Sequence, residues 1–91
     1  MPEISRFYGI VIKLFFGDHD PPHFHAAYGE HEVLVGIESF RVIAGSLPPR
    51  GMDLVAEWVS LHQEELREAW ARAKNLEPVG KIDPLAKSQN P

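Results

Sequence analysis

The sequence predicts an α+β protein, an antiparallel β-sheet of four to five strands packed on one long C-terminal α-helix. Three observations carry that prediction. The first half is rich in β-branched and aromatic residues, in short runs separated by glycine or polar pairs. In the second half apolar residues recur at intervals of three and four from Met52 to Ala73, the period of one helix face. Between them Pro48-Pro49 breaks the first pattern and opens the second, because proline is tolerated in the first turn of a helix, where its missing N–H has no partner anyway.

The elements follow in order. Glu3–Phe7 reads as a short strand, and Gly9 separates it from Ile10-Val11-Ile12-Lys13-Leu14-Phe15-Phe16, a stronger one. Gly17 ends that run. Asp18-His19-Asp20-Pro21-Pro22 is a loop, since the residue before each proline is pushed towards extended backbone. His23–Tyr28 and His31–Ile37 are two further strands joined by Gly29-Glu30, which suits a type II′ turn. Glu38-Ser39 is expected to make a second two-residue turn into Phe40–Ala44.

Two-residue turns fix the register. Tyr28 then faces His31, Ala26 faces Val33 and Phe24 faces Val35. Likewise Ile37 faces Phe40, Val35 faces Val42 and Val33 faces Ala44. One sheet face becomes Phe24, Ala26, Tyr28, Val33, Val35, Ile37, Phe40, Val42 and Ala44, with no charge on it. The opposite face carries His23, His25, Ala27, Glu32, Leu34, Gly36, Arg41 and Ile43. Gly36 leaves a gap there between His23 and Arg41.

The helix is expected to run to about Lys74, before Asn75 and Pro78 stop it. Its core stripe is Met52, Val55, Val59, His62, Leu66, Ala69, Trp70 and Ala73. Glu64 with Arg67 and Glu68 with Arg72 are exposed pairs. Leu54, Trp58 and Leu61 form a second, shorter apolar patch, for which Ile82 and Leu85 of the tail are candidate covers. The expected organisation is one domain over residues 1–85 and a disordered polar end over residues 86–91.

Composition narrows the function classes. Hydrophobic residues are 44% and charged residues 24%, as in an ordinary globular domain. The net charge of −4 argues against a surface that is phosphate-binding throughout, although a local RNA site remains allowed. The absence of cysteine excludes disulfides and thiolate metal sites. The N-terminus lacks the pattern of a signal peptide. The longest purely apolar runs are three residues, against about 20 needed to span a membrane. No membrane partner is expected, and the expected location is the cytoplasm.

Ile4-Ser5-Arg6-Phe7-Tyr8-Gly9-Ile10-Val11-Ile12, then Asp18-His19-Asp20-Pro21-Pro22-His23-Phe24-His25-Ala26, and later Glu57-Trp58, Leu61-His62 and Glu65-Leu66 resemble the bacterial and archaeal family of domain of unknown function 4160. The likeness covers roughly residues 1–85. It implies no catalytic residues. It does imply a gene setting, because such proteins are typically encoded beside another small protein, an arrangement comparable with toxin–antitoxin pairs.

Three kinds of chemistry compete for the histidine-rich stretch. His23 and His25, two apart on a strand, point the same way and could hold zinc, manganese or iron, with His19, Asp18 or Asp20 from the loop completing a nitrogen/oxygen site. The bland alternative is that these loop residues only cap turns and bond backbone amides. A small metal-independent ribonuclease would use His23 or His25 as general base or acid, Arg41 against the phosphate and Glu32 to orient a histidine. Arg41 and Glu32 are equally compatible with being solvated sheet residues. A binding module would use Leu34 and Ile43 on the histidine face and the patch of Leu54, Trp58 and Leu61, against a second copy or the product of a neighbouring gene. The register sets His62 in the core, facing away from His23 and His25. His31 falls beside a turn and is expected to be exposed.

Overall fold

The computed structural model describes residues 3–17 and 19–85. Five strands, β1 (Glu3–Phe7), β2 (Ile10–Lys13), β3 (His23–Tyr28), β4 (His31–Gly36) and β5 (Val42–Ser46), precede one helix, α1 (Pro49–Lys74). The sheet is antiparallel throughout, in the order β1-β2-β3-β4-β5. The expectation for residues 86–91 lies outside the described residues.

Tight turns make the meander. Tyr8 and Gly9 both have positive φ, which a type I′ turn requires. Gly29 has φ +62 and Glu30 does not, the pattern of type II′. The β3–β4 register is the one expected, with Tyr28 opposite His31, Ala26 opposite Val33 and Phe24 opposite Val35. The face it sets holds too: Phe24, Ala26, Val33, Val35 and Ile37 are fully buried, and Tyr28 is half-buried against Gly51 of α1.

The next strand departs from expectation. Val42 lies opposite Val35 as foreseen, but Ala44 lies opposite Leu34, Gly45 opposite Val33 and Ser46 opposite Glu32. Ile43 is the extra residue of a β-bulge. Phe40 lies outside the strand. Phe40, Val42 and Ala44 are exposed rather than core. The reason is width: one helix is about 10–12 Å across, whereas five strands at about 4.8 Å spacing span roughly twice that. β5 is left uncovered.

The helix has the expected bounds and exposed ion pairs, Arg67 with Glu64 at 2.8 Å and Arg72 with Glu68 at 3.9 Å. Its buried face differs at Trp58 and His62, and Met52 of the expected stripe is half-buried. Val55, Val59, Leu66, Ala69, Trp70 and Ala73 are buried as expected, yet Trp58 is fully buried as well and His62 is only half-buried. At His62 the backbone leaves helical values (φ −131, ψ 23), kinking the helix. Its ring rests on Trp58, with a hydrogen bond to Glu65. Leu76, in left-handed conformation, closes the helix as Glu77 N–H reaches Arg72 O and Leu76 N–H reaches Ala73 O, a Schellman motif.

That motif turns the tail back along β1. Ile82 N–H donates to Ile4 O at 2.8 Å, Lys81 Nζ donates to Glu3 O at 3.0 Å and Trp58 Nε1–H donates to Asp83 O at 2.8 Å. Ile82 and Leu85 are buried over Trp58 and Phe7 in one core cluster. The tail is therefore the cover of Trp58, and neither Trp58 nor the half-buried Leu54 forms an open interface patch. Of that sequence-derived trio only Leu61, 63% exposed, faces solvent.

Candidate functional site

The histidine pair sits where the proline-rich loop enters β3. His23 is the first residue of that strand and lies opposite Gly36 of β4. Its Nδ1–H donates to the Pro21 carbonyl two residues back, at 2.8 Å. His25 lies opposite Leu34 on one side and Lys13 on the other. Its Nδ1 is 3.2 Å from Glu32 Oε2. Alternation along the strand puts both rings on one side, with centroids 5.4 Å apart. Phe15 meets the His25 ring edge-on at 4.6 Å, and Trp70 lies 5.3 Å from the His23 ring. Aromatic side chains thus wall the pair on two sides, and Glu32, half in solvent, flanks it.

The carboxylate on His25 and the carbonyl on His23 do the same physical job. Each fixes the tautomer and orientation of its ring. Such a pair can move a proton or contribute two nitrogens to a metal. The other ligand candidates are dispersed. His19 is exposed, and Asp20 is engaged by Lys74 Nζ of the last helical turn at 3.2 Å. Asp18 lies outside the described residues. Among the described residues no group of three or more His, Asp or Glu side chains is placed to hold a metal ion.

Arg41 belongs to a neighbouring site. Its stem lies over Gly36, and a Cβ on Gly36 would sit 3.6 Å from Arg41 Cγ, so the expected gap is occupied by Arg41 itself. A groove of about 370 Å³ opens there, with Arg41, Pro21, Pro22, Val42 and Ile43 in its lining. Glu38 at its rim is held by Arg67 Nε, 3.0 Å from both carboxylate oxygens, and the pairing keeps that guanidinium above its ordinary pKa. Of the other sequence candidates for contact, Leu34 is half-buried and Ile43 is 42% exposed.

Sequence reasoning missed Phe15 and Trp70 as walls of the histidine site. Phe15 was assigned to a strand that ends at Lys13, and Trp70 was assigned to the core alone. No sequence signal marks Trp70; the Lys74–Asp20 ion pair, at 3.2 Å, joins the end of α1 to the loop only in the fold.

A sheet-and-helix protein with a histidine pair at one end of its third strand, one ring held by a carboxylate and the other by a backbone carbonyl, is what this geometry defines. The family model described as "Domain of unknown function (DUF4160)" matches residues 9–71, and the chain belongs to that family. The match runs from β2 through most of α1 and takes in the histidine pair, Arg41 and β5. No curated protein and no solved structure matches the chain. No helix among the described residues is long and apolar enough to cross a membrane.

Proposed function

We propose that this chain is a cytoplasmic partner-binding protein, the component of a toxin–antitoxin-like gene pair that docks the neighbouring gene's product along β5. The supporting observation is the open edge itself. All five residues of β5 are exposed, none is charged and none is proline. Of these Val42 and Ile43 are 48% and 42% exposed, and Phe40 just before the strand is 41% exposed. Monomeric proteins ordinarily blunt such an edge with charge, proline or a covering segment. Here only its shortness and one bulge do so. Phe40, Val42 and Ile43 are already more than half buried, so covering the rest contributes roughly 2–4 kcal/mol, against association costs of about 4–15 kcal/mol. Side chains alone do not hold a partner, so main-chain pairing along β5 has to contribute. Co-expression with the neighbouring product is the test. A stable complex with the parent chain, lost in the exposed-edge variant Val42→Lys at unchanged melting temperature, supports the reading. An undiminished complex with Val42→Lys overturns it.

A second reading has its own observation. Both histidines have Nδ1 engaged by an oxygen acceptor, the usual outer-shell arrangement of metal-ligating imidazoles. Zinc, manganese or iron bound by His23 and His25 is the corresponding proposal. Metal analysis of untagged protein decides it: stoichiometric metal that disappears with His23→Ala plus His25→Ala supports it, and metal-free protein that takes up none of the three ions counts against it.

A further inference from the structure

Resting on the β5 reading, we propose that the docked segment is an acidic, apolar strand. It carries a carboxylate for Arg41 and, two residues away, an aliphatic or aromatic side chain for the groove beside Pro21 and Pro22. The charge distribution leads there. Arg6, Arg67 and Arg72 each have a carboxylate of this chain within reach, at 2.9, 3.0 and 3.9 Å. Arg41 and Arg50 have no carboxylate partner among the described residues, and of the two only Arg41 lines the groove. Glu38, the carboxylate at the same rim, is committed to Arg67. The Arg41 stem passes beside Gly36, and the residue is exposed, so its guanidinium is accessible to an incoming carboxylate.

The groove supplies the second half of the recognition. Its volume, about 370 Å³, and its proline, valine and isoleucine lining suit one apolar side chain. A strand laid beside β5 presents every second side chain to the same face, about 7 Å apart. An acidic residue against Arg41 thus places its neighbour two residues on over Val42 and Ile43. The same features rank the other occupants lower. Residues 42–46 contain no carboxylate, so self-pairing of two β5 strands leaves Arg41 unmatched. A nucleic acid brings a row of phosphates, whereas this groove has one cation, a carboxylate at its rim and a chain of net charge −4 around it.

The test is a phage-displayed library of random octapeptides panned on the untagged full chain, followed by anisotropy with labelled synthetic copies of the enriched peptides. The expected winners carry Asp or Glu two residues from Val, Ile, Leu or Phe. Arg41→Ala, or amidation of the peptide carboxylate, weakens binding about tenfold or more, and the two changes together cost little beyond either one. Arg41→Lys retains part of the affinity. Arg50→Ala, on an exposed helical arginine outside the groove, changes nothing. Unchanged melting temperatures confirm that the variants fold. Winners without an acidic preference, or binding indifferent to Arg41→Ala, overturn this proposal. If such binding is still abolished by Val42→Lys, the β5 reading survives. A library that yields no binder sensitive to Val42→Lys overturns both. Sedimentation as a dimer that Val42→Lys dissociates, or uptake of a poly(U) oligonucleotide lost in Arg41→Ala, assigns the surface to a second copy or to RNA instead.

Discussion

The two edges of the sheet are strands of equal length that end in opposite states. β1 and β5 are both five residues long and each pairs with one strand. Along β1 the returning tail bonds Ile4 O, buries Ile82 and Leu85, and locks to the helix through Trp58. Along β5 no segment of the described residues returns, and every side chain is exposed. The helix reaches β1 through Trp58 on Phe7 and leaves β5 bare, and the path of the chain after α1 widens that difference. The Schellman turn at Leu76 directs it to β1. One edge strand is thereby completed within the molecule, and the other is left for something outside it.

The strongest way to break the contrast is to open the closed edge. Trp58 is the largest fully buried side chain, touches Phe7 and Phe24 and donates to Asp83 O. Trp58→Ala is expected to destabilise by about 3–5 kcal/mol. Trp58→Phe keeps most of the ring packing and loses the hydrogen bond, at about 1 kcal/mol. Chemical denaturation measures both. Amide exchange at Ile82 should accelerate in Trp58→Phe while exchange in β3 stays protected. Equal acceleration throughout would mean that the tail is not a separate cover.

At the open edge Gly45 carries the strain-sensitive position. Its φ is +76, and a Cβ built there would lie 2.2 Å from Glu32 O. Gly45→Ala is expected to cost about 2–3 kcal/mol, from the left-handed backbone and the forced shift of β5 from β4. The loss should fall on the β4–β5 pairing and leave the Ile82 amide protected, the reverse of Trp58→Phe. Stability unchanged within about 0.5 kcal/mol would show that β5 contributes little to the folded state.

These positions also mark how far the sequence was legible. The β3–β4 register followed from one two-residue turn because the apolar face it implied was charge-free, and Phe24, Ala26, Val33 and Val35 are all buried. The same reasoning failed one strand later. Ile43 inserts an extra residue, and nothing in Val-Ile-Ala-Gly-Ser distinguishes a bulged edge from a buried strand. Trp58 was misplaced because a helix covered by a sheet and also by a tail has a wider buried arc than a single stripe. At the site, alternation placed His23 and His25 together, and the register set Glu32 opposite Ala27, diagonal to His25. Phe15 and Trp70 were not legible there, since only the tertiary path of α1 brings Trp70 to the loop.

The smallest expected effect distinguishes the edges by pH. At the closed edge Glu3 accepts two hydrogen bonds from Arg6, and its backbone carbonyl accepts one from Lys81. The hydrogen bonds from Arg6, helped by the positive charges of Arg6, Lys81 and Lys13, hold the Glu3 carboxyl below its ordinary pKa. A carboxyl whose folded pKa is depressed contributes stability that is present above its unfolded value, about 4.3, and is lost as pH falls through the folded one. Acid should therefore loosen the attachment of Lys81 and Ile82 to β1. β5 has no carboxylate, so its exposure should not respond in that range through any group of its own. Because Arg6 is solvent-exposed and Glu3 only half-buried, the pair is screened, and the change should be small and should shrink with added salt. Amide exchange at Ile82, corrected for intrinsic rates and compared at pH 6 and pH 4, measures it. Glu3→Gln should flatten the pH dependence at Ile82. If the slope persists in Glu3→Gln, another carboxylate couples the tail to the sheet, and the acid sensitivity of the closed edge does not originate in the Glu3–Arg6 pair.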